Sequence, residues 1–361
     1  MSTTRPRLSI VVPACDAERT LVEALTAILA SHLPRNVYEL IVVDDASRDA
    51  SASIAARYAD KVIRLTGNRL GAAYARNRGV DFSEGEIVAF VDADVAVRPD
   101  TLPRMLSMLA EHPTIGAVSA SHDAGHGSAN LVSQYWNLLL RFGETRHAGD
   151  CADIPSGCAA LRRSALLTTG MFDEWRFPTA SLEGLELAQR LHASGFRLVL
   201  SPDIEVTQLR RWSLRSVVRE VWTRSALLAR SLGYLRTSET APSEVVFTLS
   251  RSLVPVVGFV GASTLVAAFF PESHIVVSGA AALAALGVVN FPAYSFFAKA
   301  RGLPFALIAA PLHLSMQAVS AVALCVGWIL RDAIGDRLPD ATTQAYAELG
   351  LETWPPIPRP R

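Results

Sequence analysis

Short apolar runs alternate with amphipathic stretches through the first third of the chain. Runs rich in β-branched residues predict strands at 8–13, 38–45, 61–65 and 86–91. Helical spacing of apolar positions predicts helices at about 18–33, 47–58 and 71–79. Ser47 is expected to cap the second of these helices. Strands alternating with helices indicate an α/β fold with a mainly parallel sheet covered by helices on both faces.

Polar residues follow three of the predicted strands. The first strand ends at Pro13, the second at Asp44 and Asp45, and the fourth at Asp92 and Asp94. Ligands of such sheets bind beyond the carboxyl ends of the strands, which share one edge. The sequence therefore predicts a binding site at that edge.

Asp92 and Asp94 are separated by one small residue at the end of an apolar run. Residues two apart in a strand point to the same side of the sheet, so the two carboxylates can converge on one cation. Two hard oxygen ligands that leave most of the coordination shell open suit Mg²⁺ or Mn²⁺ carrying a substrate's phosphates. A strand that ends in an acidic loop without a metal can show the same Asp-x-Asp pattern. The position of Asp92 and Asp94 beside two other polar strand ends favours a metal site.

Charge and motifs exclude several classes of function. The formal net charge is zero, which gives no electrostatic support for a nucleic-acid partner. Neither a Gly-x-Gly-x-x-Gly fingerprint after the first strand nor a Walker A loop is present, so phosphates must be held in another way. The four cysteines lack zinc spacing and are expected to be reduced, packed thiols facing a cytosol. They are Cys15, Cys151, Cys158 and Cys325.

The last third of the chain is far more apolar than the rest, and the mean hydropathy is +0.27. About three membrane spans are predicted within residues 236–330, because each segment exceeds the ~20 apolar residues needed to cross a bilayer. The segments are 245–270, 275–297 and 303–330. The basic link at 299–302 predicts a multi-pass cell-membrane protein whose first domain is cytoplasmic.

Two further segments flank or follow these spans. Residues 212–235 combine helically spaced apolar positions with arginines, which predicts an amphipathic helix lying on the membrane surface. The tail at 331–361 is rich in proline and predicted to be irregular.

His122 and His126 fall in a Gly/Ser-rich stretch that predicts a flexible loop rather than a pair of metal ligands.

An ordered series of motifs spans residues 8–235. It comprises Val11-Val-Pro-Ala14 with Glu18, Val42-Val-Asp-Asp-Ala-Ser47, Gly71-Ala-Ala-Tyr-Ala-Arg-Asn-Arg-Gly79, Val91-Asp-Ala-Asp94, Ser156-Gly-Cys158, Gly170-Met-Phe-Asp173, Glu183-Gly-Leu-Glu186 and Gln208-Leu-Arg-Arg-Trp212. With this series the chain resembles the family-2 glycosyltransferases, which are inverting enzymes of GT-A fold that use nucleotide-diphosphate sugars. The resemblance implies a GT-A domain at 1–235, followed by the transmembrane region and the tail.

The resemblance also implies roles for individual residues. Binding of the nucleotide sugar is expected from Pro13, Glu18, Asp44, Asp45, Arg76, Asn77, Asp92, Gly157 and Gln208. Asp94, with Asp92, is expected to hold Mg²⁺ or Mn²⁺. Arg211 is expected to contact the diphosphate and Trp212 to flank the acceptor.

The expected catalytic base is missing. Relatives usually carry Glu-Asp at the start of one helix, and the aspartate deprotonates the acceptor; here the pair is Glu183-Gly184. Glu183 or Glu186 could take over as base. Alternatively, the acceptor is already an anion such as a lipid phosphate, or the protein is a non-catalytic, membrane-tethered binder of sugar nucleotides. The expectation is a metal-dependent transferase acting on a lipid or lipid-phosphate acceptor at the membrane.

Overall fold

The computed structural model describes residues 6–125, 130–146, 148–151, 153–154, 157–174, 182–235 and 274–334. The chain divides into two compact units, and the boundary lies between Arg211 and Trp212. The second unit also includes Asn130–Phe142. This division assigns the segment after Trp212 to the second unit, whereas the sequence motifs grouped residues 1–235 together.

Among its described residues, the first unit contains the four predicted strands, β1 to β4, and five further strands after them. They are β1 (Leu8–Ala14), β2 (Tyr38–Asp45), β3 (Lys61–Leu65), β4 (Ile87–Val91), β5 (Val95–Val97), β6 (Ile115–His122), β7 (Gly149–Asp150), β8 (Cys158–Arg162) and β9 (Arg197–Gln208). The helices are α1 (Leu21–Leu29), α2 (Ser51–Tyr58), α3 (Ala72–Asp81), α4 (Thr101–Glu111), α5 (Leu131–Arg146, which begins in the second unit), α6 (Arg163–Thr169) and α7 (Glu183–Ala193).

The described strands form one mixed sheet in the order β3-β2-β1-β4-β8-β6-β9-β5, with β7 beside β9. β1 to β4 are parallel to one another, and Leu8 lies between Tyr38 and Ile87. β8 then runs antiparallel to both β4 and β6. The predicted α/β class is confirmed, and the parallel half of the sheet corresponds to the strands recognised in the sequence.

Separate apolar cores cover the two faces of this sheet. Alternate residues of β1 point to opposite faces, so Ile10 and Val12 pack with α1 and α4, whereas Val11 packs with α3, α6 and α7. Each face buries residues with almost no exposure, including Leu25 and Leu187. Helices therefore cover both faces, as predicted.

Some predicted boundaries differ from the structure at the start of α2. Ser47 does not cap this helix, which begins at Ser51. The Ser47 hydroxyl instead accepts a hydrogen bond from the Asp16 backbone N–H at 3.0 Å. The side chain therefore links the loop after β2 to the loop after β1, because the turn between strand and helix is longer than the capping pattern assumed.

The second unit contains α8 (Leu214–Leu235), α9 (His274–Arg301) and α10 (Leu303–Ile334). Its core includes Tyr135, Trp212 and Phe297. A buried polar network joins three helices: the Tyr135 hydroxyl lies 3.0 Å from His313 Nδ1, His313 Nε2 lies 3.1 Å from Asn290 Oδ1, and Gln317 Nε2 donates to Asn290 Oδ1 at 2.8 Å. Satisfied buried polar groups of this kind fix how helices pair.

Of the predicted membrane spans, one is supported by the described residues. Leu303–Leu330 within α10 is long and apolar enough to cross a membrane, judged by length and composition. α9 covers the predicted segment 275–297 but is not among the helices that meet this test. The segment 245–270 lies outside the described residues. The multi-pass prediction is therefore not supported, and α10 continues to Ile334, past its predicted end at 330.

Candidate active site

The Asp92–Asp94 turn is held by backbone hydrogen bonds at the end of β4. The Asp92 N–H donates to the Gly157 carbonyl at 2.9 Å, and the Val95 N–H donates to the Asp92 carbonyl at 3.0 Å. The Leu209 N–H donates to the Asp94 carbonyl at 2.8 Å. Gly157 has a φ of 127°, a conformation that favours glycine. The turn is thus fixed by two neighbouring segments that carry other predicted site residues.

Arg76 connects the first aspartate of this turn to helix α7. Its Nη2 donates to Asp92 Oδ1 at 2.9 Å, and its Nη1 donates to Glu183 Oε1 at 2.8 Å. The guanidinium is almost fully buried and lies 5.5 Å from the centre of the Phe172 ring. Burial opposes its charge, but Asp92 and Glu183 outweigh that effect and hold the pKa of Arg76 above its usual range. Arg76 is therefore a permanent cation that orients Asp92.

Asp94 has the chemistry expected of a cation ligand. Burial and the neighbouring charge of Asp92 raise the pKa of Asp94 to about 6, although Arg210 and His122 oppose the shift. A divalent cation would favour the ionised form of this carboxylate. Among the described residues, no group of three or more His, Cys, Asp or Glu side chains could hold a metal. Asp92 and Asp94 fit an ion whose remaining ligands are phosphate oxygens and water.

The two aspartates that end β2 are buried in different surroundings. Asp45 accepts hydrogen bonds from the backbone N–H groups of Leu70 (2.9 Å) and Gly71 (2.8 Å), just before α3. Burial raises the pKa of Asp45, and these two hydrogen bonds oppose the shift. Asp44 is 1% exposed, and its Oδ2 lies 3.8 Å from Arg64 Nε. Asp45 therefore positions the start of α3, the helix that carries Arg76.

The predicted nucleotide residues from β1 and from the loop before α1 lie beside the end of β2. Pro13 is paired with Val43 in the parallel register of β1 and β2. Glu18 is exposed, its N–H donates to Asp49 Oδ2 at 3.0 Å, and its Oε2 accepts from the Ala50 N–H at 3.2 Å. The structure thus brings Pro13 next to the end of β2 and engages Glu18 with the loop that precedes α2.

Asn77 has contacts that are typical of a structural residue. Its side-chain amide donates to the Phe172 carbonyl at 2.9 Å and to Glu174 Oε2 at 2.7 Å. Its Oδ1 accepts from the Phe172 N–H at 3.1 Å. Asn77 therefore fixes the segment that places the Phe172 ring beside Arg76.

The two candidate bases on α7 are both buried and both paired with arginine. Glu183 is 3% exposed and bonded to Arg76. Glu186 is 1% exposed, and its two oxygens accept from Arg190 at 2.7 and 2.6 Å. Arg190 also donates to the carbonyls of Thr169 and Met171. Each carboxylate would have to leave an ion pair before it could accept a proton from an acceptor.

Gly184 stands where backbone from another segment approaches closely. A Cβ atom placed on Gly184 would lie 2.3 Å from the Ile154 carbonyl oxygen and 3.4 Å from Asp153 Oδ1. Real Cβ atoms do not approach backbone so closely, so a side chain at this position requires movement of residues 153–154. An aspartate at position 184 would therefore have to displace this backbone before its carboxylate could act as a base.

The Gln208–Trp212 motif crosses the boundary between the two units. Gln208 is buried at the end of β9, where it pairs with Val95, and Arg211 is exposed. Trp212 lies in the second unit, where its backbone N–H donates to Ser133 Oγ at 2.8 Å. The centre of its ring lies 5.6 Å from that of the Trp136 ring. Gln208 is thus near the Asp94 turn in β-sheet register, whereas Trp212 is a core residue of the second unit.

His122 was wrongly predicted to lie in a flexible loop; it ends β6 and is 5% exposed. Its Nδ1 lies 2.7 Å from Glu144 Oε1, and Glu144 Oε2 accepts from the His122 N–H and the Ser121 hydroxyl at 2.8 Å. Burial opposes charge on both groups, but their attraction outweighs it, raising the pKa of His122 and lowering that of Glu144. The short apolar run Ile115-Gly-Ala-Val118 was the signal for this strand. His126 lies outside the described residues.

Glu144→Gln is expected to lower the free energy of unfolding by about 3–5 kcal/mol, because it removes one member of a buried ion pair. The stabilisation that arises from the raised pKa of His122 is complete below the ordinary pKa of 6.5 and is lost as pH rises through the raised pKa. The stabilisation that arises from the lowered pKa of Glu144 is complete above the ordinary pKa of 4.5 and is lost as pH falls through the lowered pKa. Asp94 and Asp123 add to the shift of His122.

Urea unfolding of both proteins without divalent cations, at several pH values, checks this expectation. The difference from wild type should be largest between 4.5 and 6.5 and shrink on either side. Glu84→Gln is the matched control, because Glu84 is 59% exposed and its ion pair with Lys61 contributes at most about 1 kcal/mol. Equal effects of the two variants would contradict the buried-pair interpretation.

Comparison with known proteins agrees with this architecture. Residues 9–169 match the family described as glycosyl transferase family 2. The poly(ribitol-phosphate) β-N-acetylglucosaminyltransferase TarS of Staphylococcus aureus is 32% identical over 110 residues, which is 29% of this chain and 19% of TarS. Glycosyltransferase AglE of Haloferax volcanii is 30% identical over 148 residues, which is 39% of this chain and 49% of AglE. The chain thus spans at most about half the length of these relatives.

Among solved structures, the chain resembles the mannosyltransferase PcManGT of Pyrobaculum calidifontis in complex with GDP-Man and Mn²⁺. The TM-score is 0.58 at 23% identity, covering 91% of this chain and 88% of that one. This likeness concerns the fold. The matched residues, the mixed sheet and the motif order together lead to one conclusion: residues 9–169 match glycosyl transferase family 2, and the fold is that of the GT-A glycosyltransferases.

Proposed function

We propose that this protein transfers a sugar, with inversion, from a nucleoside-diphosphate sugar to an acceptor held at a membrane. The observation that carries the proposal is the Asp92–Asp94 turn at the carboxyl end of β4, with Asp92 held by the buried cation Arg76. Family-2 relatives that the chain matches are glycosyltransferases, which supports the reaction class.

Charge development explains why these residue types suit the reaction. As the bond from the anomeric carbon to the diphosphate breaks, negative charge grows on the leaving group. A Mg²⁺ or Mn²⁺ ion held by Asp92 and Asp94 would supply an electrophile that stabilises this charge. Arg76 orients Asp92 through a hydrogen bond at 2.9 Å, so this part of the site is arranged before the donor binds.

Other residues are proposed to bind the donor around this turn. Pro13, Glu18, Asp44 and Asp45 lie around the ends of β1 and β2 and would line the nucleotide pocket. Gly157 and Gln208 lie beside Asp92 and Asp94 and would face the sugar. Arg211 is exposed and can approach a diphosphate without breaking an internal contact of its own unit.

A membrane-held acceptor is supported by the composition of the second unit. α10 contains an apolar stretch long enough to span a bilayer, and α8 presents exposed Leu214 and Trp222. Tryptophan and leucine among arginines are typical of helices that lie at a membrane surface. A lipid or lipid-phosphate acceptor would then share the surface to which the enzyme is bound.

A non-catalytic sugar-nucleotide-binding protein is the second candidate, favoured by one observation. Gly184 occupies the position of the usual base, and the structure leaves no room for a side chain there. The buried Arg76–Asp92 pair is compatible with either function, because binding and transfer both require an oriented Asp92.

Transfer by the full chain in lipid nanodiscs separates the two candidates. UDP- and GDP-sugars are incubated with Mn²⁺ and either octyl β-glucoside or a polyprenyl phosphate, and products are identified by mass. We expect one donor to bind and a glycosylated product to form. Donor binding by calorimetry without any product or donor hydrolysis would support the non-catalytic candidate, and absence of donor binding would contradict both.

A further inference from the structure

Glu183 and Glu186 of α7 are poorly placed to remove the proton from the acceptor hydroxyl. This inference rests on the proposed transferase function. Glu183 is held by Arg76 and Glu186 by Arg190. Using either one would disrupt an ion pair that orients Asp92 or anchors the loop around Met171. A different carboxylate is therefore needed next to the start of α7.

The close approach at Gly184 brings such a carboxylate to this place. The segment 153–154 lies where a side chain of residue 184 would begin, and the Ile154 carbonyl alone excludes it. Asp153 Oδ1 lies 3.4 Å from the position of that absent Cβ atom. A carboxylate thus reaches the start of α7 from the loop before β8 rather than from the helix itself.

Asp153 is held in a well-defined backbone setting. The Cys151 N–H donates to the Leu198 carbonyl at 2.9 Å, and the Cys151 thiol donates to the Asp153 carbonyl at 3.1 Å. His192 Nε2 lies 2.8 Å from the Cys151 carbonyl oxygen. Helix α7 and strand β9 therefore both fix the turn that presents Asp153, which is 7% exposed.

A short series of contacts relates Asp153 to the proposed metal turn. Gly184 follows Glu183, Glu183 is bonded to Arg76 at 2.8 Å, and Arg76 is bonded to Asp92 at 2.9 Å. Asp153 thus lies next to the residue that follows Glu183, and Glu183 shares Arg76 with Asp92. In the proposed reaction a base at the start of α7 would face the acceptor while Asp92 faces the leaving group.

We propose that Asp153 is the general base of the transfer reaction. An Asp153 oxygen takes the proton of the acceptor hydroxyl while that oxygen bonds to the anomeric carbon. The bond from this carbon to the diphosphate oxygen breaks at the same time, and its electron pair leaves with the diphosphate. Glu183 is a positioning residue in this scheme, acting on Asp92 through Arg76.

Asp153→Asn tests the assignment with little change in size. With octyl β-glucoside as acceptor, we expect kcat to fall by about 10²–10⁴-fold, the usual contribution of a general base. We expect kcat of wild type to decline toward acidic pH and this decline to disappear in the variant, while donor affinity by calorimetry and the thermal midpoint stay close to wild type. Asp153→Glu should recover part of the rate, because it restores a carboxylate.

Two control variants separate a base from a residue that only supports the fold. Asp150→Asn alters an exposed neighbour paired with Arg197 at 2.8 Å and should leave the pH profile unchanged. Glu183→Gln should weaken donor affinity and keep the acidic decline of kcat, because it acts through Asp92.

Other outcomes overturn the assignment in distinguishable ways. An Asp153→Asn rate within about tenfold of wild type on octyl β-glucoside, or a lost rate with an unchanged acidic decline, would overturn Asp153 as base and leave the transferase function standing. Transfer to polyprenyl phosphate alone, unaffected by Asp153→Asn, would do the same. If wild type neither hydrolyses donor nor transfers it to either acceptor, the proposed function fails together with this inference.

Discussion

Replacing Arg76 with methionine is expected to lower the free energy of unfolding by about 3–5 kcal/mol. Arg76 is 5% exposed, and its two amino groups hold Asp92 and Glu183. Methionine removes the cation but leaves Glu183 in the interior, where an ionised carboxylate without compensating charge is costly. A loss of this size is a large fraction of the ~5–15 kcal/mol that stabilises a typical protein.

Urea unfolding compares Arg76→Met with Arg78→Met, a neighbour on the same helix. Arg78 pairs with Asp81 at 3.0 Å and keeps 21% of its side chain exposed, so its loss should cost less than that of Arg76. The double variant Arg76→Met/Glu183→Gln should regain part of the stability, because the uncompensated charge is then gone. Equal losses for the two single variants, or no recovery in the double variant, would sink the buried-network interpretation.

Asp94→Asn is expected to lower turnover by at least about 10²-fold, because it removes charge that would hold the divalent ion against the leaving group. The substitution preserves size, so a folding defect is not expected. Burial and Asp92 raise the pKa of Asp94 to about 6, and a bound cation would oppose this shift by favouring the ionised carboxylate. Asp92→Asn should have a smaller effect on turnover and a clear effect on donor affinity.

Calorimetric titration with Mn²⁺ provides a readout independent of activity. Wild type should bind Mn²⁺ in the presence of nucleoside diphosphate, and Asp94→Asn should not. Asp100→Asn is the control, since Asp100 is 54% exposed and pairs only loosely with Arg104 at 3.5 Å. Full activity of Asp94→Asn, or of wild type in excess EDTA, would rule out the metal assignment.

The parallel half of the sheet could be predicted from the sequence because its determinants are local. Each of β1 to β4 is a short run rich in β-branched residues. Because these strands are parallel, the polar residues that follow them lie at the same edge of the sheet. The family resemblance extended this prediction to the GT-A architecture. The antiparallel strand β8 could not be placed, because its pairing with β4 and β6 joins segments distant in the chain.

The network around Arg76 was beyond reach for the same reason. Arg76 and Glu183 are separated by 107 positions, and no periodicity links them. His122 was misplaced because the Gly/Ser-rich composition of 119–130 outweighed the short apolar run that precedes it. Gly184 was recognised as unusual, but its cause, the approach of Ile154, depends on tertiary structure.

The contact between Gly184 and Ile154 has a consequence for how this protein can evolve. A reversion of Gly184 to aspartate cannot be the first step toward the usual arrangement, because the backbone of residues 153–154 already fills the space. The loop before β8 would have to retreat first, and any such change would remove Asp153 from its present place. The residue at position 184 and the backbone of residues 153–154 are therefore coupled in evolution. Homologous chains should have either glycine at this position with the backbone close to it, or a larger residue with the backbone displaced.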